Sequence, residues 1–499
     1  MQNVIVLGGS YGGARAAQLI AQGLGKNFRV IMIDRNSHAS HLYVIPRMGV
    51  LPGHEHKSFI PYRGIFNPAN PSTGASDVPS ANRHLVLHAH VTALTSHSVT
   101  ISRTFPEYGL HSPVIPYKYA VYALGSRLPA PIDLWSKDEN SLVTQPYSDD
   151  PEAAQVSKEQ IVKEYGGTKP EGIEWLKRCQ DRIRRAGSVL CVGGGALGVQ
   201  FATDIKSLYP EKHVTLLHSR HRLLPRFDYD MHSEIMKSME DFRIDLVLGE
   251  RLDLKSTLPE NVKLNERGQR IVRTLKGREV AADLLLLCTG QVPNTGLIGE
   301  MSPDSIDPET KLAYVLPTMQ LGVIPSEPVA DDISSGLRTL SVGSSSENGY
   351  ASGLELGEED QLPDEPLPET PFPHIFVIGD SADAFGAIKA GHTAYWQGEV
   401  AARNIIRLAS LDTGAEDPTG FSVESGSAYG GEEKEPLKLE RYNPGPPAIK
   451  VSLGIGSKSL YEINGVIGRK DTIEADDMDA GSAWGFFGLH EMKPEDMYE

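Results

Sequence analysis

Four aliphatic residues, Val4-Ile5-Val6-Leu7, run straight into Gly8-Gly9-Ser10-Tyr11-Gly12-Gly13, and the pattern recurs at Ser188–Val192 followed by Gly193-Gly194-Gly195-Ala196-Leu197-Gly198. A hydrophobic strand that turns on glycines into a helix opens a βαβ unit, in which backbone N–H groups and a helix N-terminus face a pyrophosphate. In the first copy we expect a helix over Ala14–Gly23 and a second strand over Phe28–Ile33. That strand ends in Asp34, beside Arg35, where an acidic side chain accepts hydrogen bonds from a ribose. In the second copy the helix runs to Leu208 and the next strand is His213–Leu217. Two such units dictate an α/β chain with two Rossmann-like dinucleotide-binding domains.

The copies differ where chemistry is decided. Aligned to G-x-G-x-x-G, the first turn has Gly8, Ser10 and Gly13; the serine is small, and its hydroxyl can donate to a phosphate. The second has all three glycines, Gly193, Gly195 and Gly198, but its second strand leads into His218-Ser219-Arg220-His221-Arg222, with no carboxylate. A carboxylate there repels a 2′-phosphate, whereas Ser219, Arg220 and Arg222 can bind one, which favours NADPH over NADH. The competing reading of these arginines is a solvated loop face.

Composition excludes several classes. The 499 residues carry a formal charge of −17, which argues against nucleic acid as a partner, since phosphate binding needs clustered Lys and Arg. Residues 326–370 hold 11 acidic residues against one basic, and 411–440 hold 8 against 2, so nearly all the excess lies in two stretches that read as surface insertions or disordered loops. Residues 66–82 read as a loop rich in Pro, Ser and Asn. No apolar run approaches the roughly 18 residues of a membrane helix. Cys179, Cys191 and Cys288 form neither a disulfide framework nor a CxxC pair, which points to a reducing compartment. Met1-Gln2 leads at once into the first strand, without a signal-peptide pattern or the Gly that N-myristoylation needs, so a cytoplasmic location is expected. His38, His41, His54, Glu55 and His56 do not repeat a ligand spacing, and no metal is expected.

Three further strands end in glycine turns: Tyr119–Tyr122 into Ala123-Leu124-Gly125, Leu284–Leu287 into Cys288-Thr289-Gly290, and Pro373–Ile378 into Gly379-Asp380, ahead of a helix from about Lys389 to Leu408. With this ordered set the chain resembles the two-dinucleotide-binding flavoproteins of the pyridine nucleotide-disulfide oxidoreductase superfamily. Within it, the likeness is to the apoptosis-inducing-factor-like and ferroptosis-suppressor-like NAD(P)H:quinone oxidoreductases.

The resemblance implies FAD, with NADPH or NADH as the second nucleotide. By its terms Gly8, Gly9, Ser10, Tyr11, Gly12 and Gly13 hold the FAD pyrophosphate, Asp34 and Arg35 the adenosine ribose, and Val91, in a strand over His88–Leu94, the adenine. Ala123, Leu124 and Gly125 close over the cofactor, Gly379 and Asp380 hold the ribityl chain, and Lys389 and Ala390 bring a cation and a helix N-terminus to the flavin. Gly193, Gly195, Ala196, Leu197, Gly198, Ser219, Arg220 and Gly290 fall to NAD(P)H. Arg47, after Pro46, is an active-site residue or a surface ion pair. Without CxxC, electrons pass directly from flavin to a small acceptor, in the resembled branch a quinone. Two alternatives stay beside this reading: a flavin-dependent tailoring oxidase or monooxygenase, and a cell-death or signalling flavoprotein with weak turnover.

The implied organisation is an FAD domain in two pieces, 1–135 and 312–410, an NAD(P)H domain at 186–311, an acidic linker at 411–440 and a small α+β interface domain at 441–499. In the last we expect strands over Ala448–Leu453 and Ser459–Ile463 and a core role for the aromatic run Trp484–Gly488. The chain is expected as monomer or homodimer, with peripheral membrane contact left open.

Overall fold

The structure, a computed structural model, describes residues 1–66, 83–127, 167–258, 261, 263–324, 369–413, 438–470, 475–490 and 492–498. The loop 66–82 and the two acidic stretches lie largely outside the described residues.

Two sheets carry the architecture. The first has six strands in the order Gln320–Leu321, Phe372–Val377, Tyr119–Tyr122, Gln2–Leu7, Phe28–Asp34, Leu85–His88. All neighbours are parallel except the Gln320–Leu321 edge, and Val4 pairs with Val30 and Tyr119. Parallel strands covered on both faces need apolar side chains throughout; Val4, Ile5, Val6 and Leu7 are fully buried, as are Val30 to Ile33. Strands from residues 320–377 thus complete a sheet begun at residue 2. On one face the helices Tyr11–Gly23 and Gly391–Thr413 cross at glycines: a Cβ on Gly12 would collide with the Ala394 carbonyl, and one on Gly398 with the Gly12 carbonyl. Only glycine permits so close an approach.

The second sheet is parallel, in the order Asp245–Leu248, His213–His218, Ser188–Val192, Leu284–Leu287. A three-stranded antiparallel sheet, Lys263–Leu264, Arg270–Arg273 and Glu279–Ala282, accompanies it. The two units are joined where Ser126–Arg127 pairs antiparallel with Val292–Pro293. Helix Lys169–Arg185 precedes the second unit, and the Glu171 carboxylate accepts from the Thr168 N–H at 2.9 Å to cap it. It buries Trp175, Leu176, Cys179 and Ile183, while Asp181 pairs with Arg184 and Arg185 on the solvent side.

Several boundaries differ from expectation. The stretch His88–Leu94 is two strands, Leu85–His88 in the main sheet and Val91–Leu94 in a separate antiparallel sheet, broken at Ala89-His90. The last long helix starts at Gly391, so Lys389 and Ala390 precede it. The C-terminal region adds a third strand, Val466–Lys470, to Ile449–Ser452 and Ser459–Ile463. Its helical turns among the described residues are 3₁₀, Ala480–Phe487 and Pro494–Tyr498. Trp484 and Phe487 are buried and Phe486 is exposed, so the aromatic run is only partly core.

Candidate functional site

One cleft is lined by both glycine turns. On the first side, helix Tyr11–Gly23 begins after Ser10, whose side chain makes no capping bond, and its first turn has no acidic residue. Helix Ala196–Leu208 on the second side likewise follows Gly195 without a side-chain cap or an acidic first turn. Both helix ends are left as donors for an anion. A Cβ at Gly13 would collide with the Gly8 carbonyl, and one at Gly198 with the Gly193 carbonyl. Those glycines close helix onto strand, which is what draws each helix N-terminus up to the turn.

The first unit's turn residues Gly8 to Gly13 all face the cleft, with Asp34, Arg35 and Val91 beside them. Asp34 is buried; its Oδ2 accepts from the Gly9 N–H at 2.7 Å and the Tyr62 hydroxyl at 3.0 Å, its Oδ1 from the Asn36 N–H at 2.7 Å. Burial pushes its pKa up, against the lowering effect of those bonds and of Arg35. Ala123, Leu124, Gly125, Gly379, Asp380, Lys389 and Ala390 line the same cleft. Asp380 Oδ2 accepts from the Ser126 hydroxyl at 2.8 Å and from the Gln291 amide. Burial raises the Asp380 pKa and lowers that of Lys389.

The second unit brings Gly193, Gly195, Ala196, Leu197 and Arg220 to the cleft. Other expected residues are not brought there. Gly198 packs behind the turn, Ser219 is exposed outside the lining, and Gly290 is skipped between Thr289 and Gln291, which do face it. Arg222 donates to the Phe227 carbonyl and lies over the Tyr229 ring, 5.7 Å from its centroid. Arg226, missed by sequence reasoning, faces the cleft in its stead.

Arg47 is a correction. It is neither in the cleft lining nor on the surface: it is 1% exposed and forks onto Asp204, Nε to Oδ2 at 2.8 Å and Nη2 to Oδ1 at 2.9 Å. The neighbouring Pro46 is the residue that reaches the cleft.

Of the further lining residues, Gln200, His392 and Lys450 carried no motif signal. Gln200, 4% exposed on the second glycine helix, has an Nε2 without a hydrogen-bond partner among the described residues. Tyr11 and His41 form a pair, hydroxyl to Nδ1 at 2.9 Å; burial lifts the Tyr11 pKa to about 12 and lowers that of His41 to about 4. His392 and Lys450 also line the cleft, the latter from the C-terminal sheet. Among the described residues no group of His, Cys, Asp and Glu is placed to hold a metal, and no helix is long and apolar enough to cross a membrane.

Two parallel-sheet units opening glycine turns onto a shared cleft define a two-dinucleotide oxidoreductase. Residues 2–309 match the pyridine nucleotide-disulphide oxidoreductase family, and the chain belongs to it. Its cofactors are accordingly FAD and NAD(P)H, and the uncapped helix ends and tight glycines above fit both. The chain is 37% identical over 491 residues to Fe-regulated protein 8 of Mycosarcoma maydis, spanning 98% of this chain and 95% of that one. It is 26% identical over 294 residues to ferroptosis suppressor protein 1 of Homo sapiens, 58% of this chain and 62% of that protein. Among solved structures, reduced CoADR-RHD of Bacillus anthracis superposes with a TM-score of 0.52 at 15% identity, covering 92% of this chain and 61% of that one, a likeness of fold.

Proposed function

We propose that this oxidoreductase takes hydride from NADPH in preference to NADH and reduces a quinone or a similar small acceptor. The observation that carries the reading is the single cleft shared by both turns, which lets the two nucleotides meet without a protein carrier. Bound FAD supplies a two-electron carrier between the nucleotide and the acceptor.

The chain's own residues do the positioning. The turn Gly8–Gly13 and Asp34 would hold the FAD pyrophosphate and ribose, with Asp380 toward the ribityl chain. Lys389 and the start of helix Gly391–Thr413 favour negative charge in the cleft. Arg220 and Arg226, with no carboxylate at the end of strand His213–His218, support the 2′-phosphate assignment. Leu42, Tyr43, Pro46, Leu124 and Ile388 give the cleft apolar wall suited to a flat acceptor. Cys179 and Cys191 are buried, and Cys288 is the one cysteine among the residues that line the cleft, which supports direct transfer to the acceptor rather than through a dithiol.

The test is anaerobic titration with NADPH and then NADH, following the visible flavin band, before a short-chain quinone is added. Bleaching that favours NADPH, with prompt recovery on quinone, is expected. A bound flavin that neither nucleotide bleaches would overturn the reading; NADH preference would remove only the 2′-phosphate assignment.

A further inference from the structure

We propose that Arg47 is a positioning residue whose bond to Asp204 fixes the separation of the two nucleotide-binding turns and so sets the rate of hydride transfer across the cleft. The inference rests on the oxidoreductase reading above.

The guanidinium joins three parts of the chain at one buried point. Arg47 comes from the short helix Ile45–Met48, which follows the cleft residues Leu42 and Tyr43, and Asp204 from helix Ala196–Leu208 of the second unit. Beyond the two bonds to Asp204, Arg47 Nη2 donates to Ser452 Oγ at 2.7 Å and the Gly454 carbonyl at 3.1 Å, and Nη1 donates to the Asp476 carbonyl at 2.7 Å. Arg47 is 1% and Asp204 0% exposed. Val50, three residues on, is fully buried in the second unit's core with Phe201 and Ala202.

Its place relative to the cleft gives this clasp its role. Pro46 and Gln200 both line the cleft, one from each side. Arg47 is the next residue after Pro46, and Asp204 lies one helical turn beyond Gln200. The pair therefore locks together, directly behind the lining, the two segments whose spacing the reactants share. A planar fork on a carboxylate fixes angle as well as distance, which a lysine ammonium does not. Replacing a buried ion pair by apolar side chains is often neutral or stabilising, so a fully bonded guanidinium here is better accounted for by geometry than by stability. Hydride transfer needs reacting atoms about 3–3.5 Å apart, and an ångström of misplacement can cost about a hundredfold in rate.

Three variants of the full chain test this: Arg47→Lys, Asp204→Asn, and the double change Arg47→Met with Asp204→Leu, which leaves no unpaired buried charge. Without nucleotide, amide hydrogen exchange in Arg47→Lys should rise over Ala196–Leu208 and Ile449–Ser452 and stay unchanged over Gln2–Leu7. In the flavin-loaded variants, the limiting rate of bleaching at saturating NADPH should fall about tenfold or more, while the NADPH concentration for half-maximal rate stays within about twofold. Variants that bleach at the wild-type limiting rate overturn the proposal. So does loss of rate in step with nucleotide affinity and flavin content, or failure of all three to fold, because those mark a merely structural role. If wild-type flavin is not bleached by either nucleotide, the oxidoreductase reading fails instead, and the exchange measurement still reports whether the clasp couples the units.

Discussion

Asp34 and His218 hold the same station in the two units, and the backbone treats them alike. The Gly9 N–H donates to Asp34 Oδ2 at 2.7 Å; the Gly194 N–H donates to His218 Nδ1 at 3.0 Å. A backbone N–H can only donate, so Nδ1 carries no proton, and burial keeps the ring's pKa low. Where the first unit presents a carboxylate at this station, the second presents an imidazole ring, with Arg220 and Arg226 on the cleft lining. Replacing Arg220 with Ala should raise the NADPH KM about tenfold, the worth of one charge-assisted hydrogen bond, and leave the NADH KM within about twofold, as steady-state kinetics with both nucleotides will report. A second prediction concerns His38, 1% exposed with its ring edge-on to Phe59 at 4.9 Å. Burial, reinforced by the charges of Lys169 and His88, lowers its pKa to about 3. The unfolded chain therefore binds a proton near pH 6.5 that the fold refuses, so stability falls as pH drops below that value, by up to about 1.4 kcal/mol per unit. Urea unfolding at pH 7, 6 and 5 should show the decline, and His38→Asn should make it shallower by that one proton's share, the other histidines whose pKa burial lowers, His41 among them, keeping the rest. The absence of a carboxylate after the second strand is readable in the sequence. That Arg226 rather than Arg222 turns to the cleft is not, because it depends on Arg222 finding the Phe227 carbonyl.

At the level of elements, each strand–turn–helix unit stands on a glycine with no space for a side chain. Gly13→Ala and Gly198→Ala would each drive a methyl group into a carbonyl of their own turn. The consequences should separate. Gly13→Ala is expected to purify with little flavin, whereas Gly198→Ala should keep its flavin but lose bleaching by NAD(P)H; flavin absorbance per protein and anaerobic titration distinguish them. These elements were legible because apolar runs of four to six residues, glycine spacing and helix length coincide in one stretch of chain. Short elements were less so. The break at Ala89-His90 comes from two strands joining different sheets, and the third C-terminal strand, Val466–Lys470, has no buried residue to mark it.

In the whole molecule, Arg47 with Asp204 is the most buried ion pair among the described residues. Arg47→Ala should lower unfolding free energy by about 3–5 kcal/mol, because it leaves Asp204 buried and unpaired. The double apolar replacement at 47 and 204 should recover most of that loss, as thermal or denaturant unfolding will show. By itself the sequence determined that the chain carries two dinucleotide-binding strand–turn–helix units and that it has no CxxC pair. Each of these follows from residues adjacent in the chain or from simple counts. Tertiary structure alone decided that Arg47 faces Asp204, 157 positions away, and that Gln200, His41 and Lys450 share one cleft. Such pairings are fixed by packing between distant segments, where a buried charge goes to whichever partner the fold brings within hydrogen-bond reach.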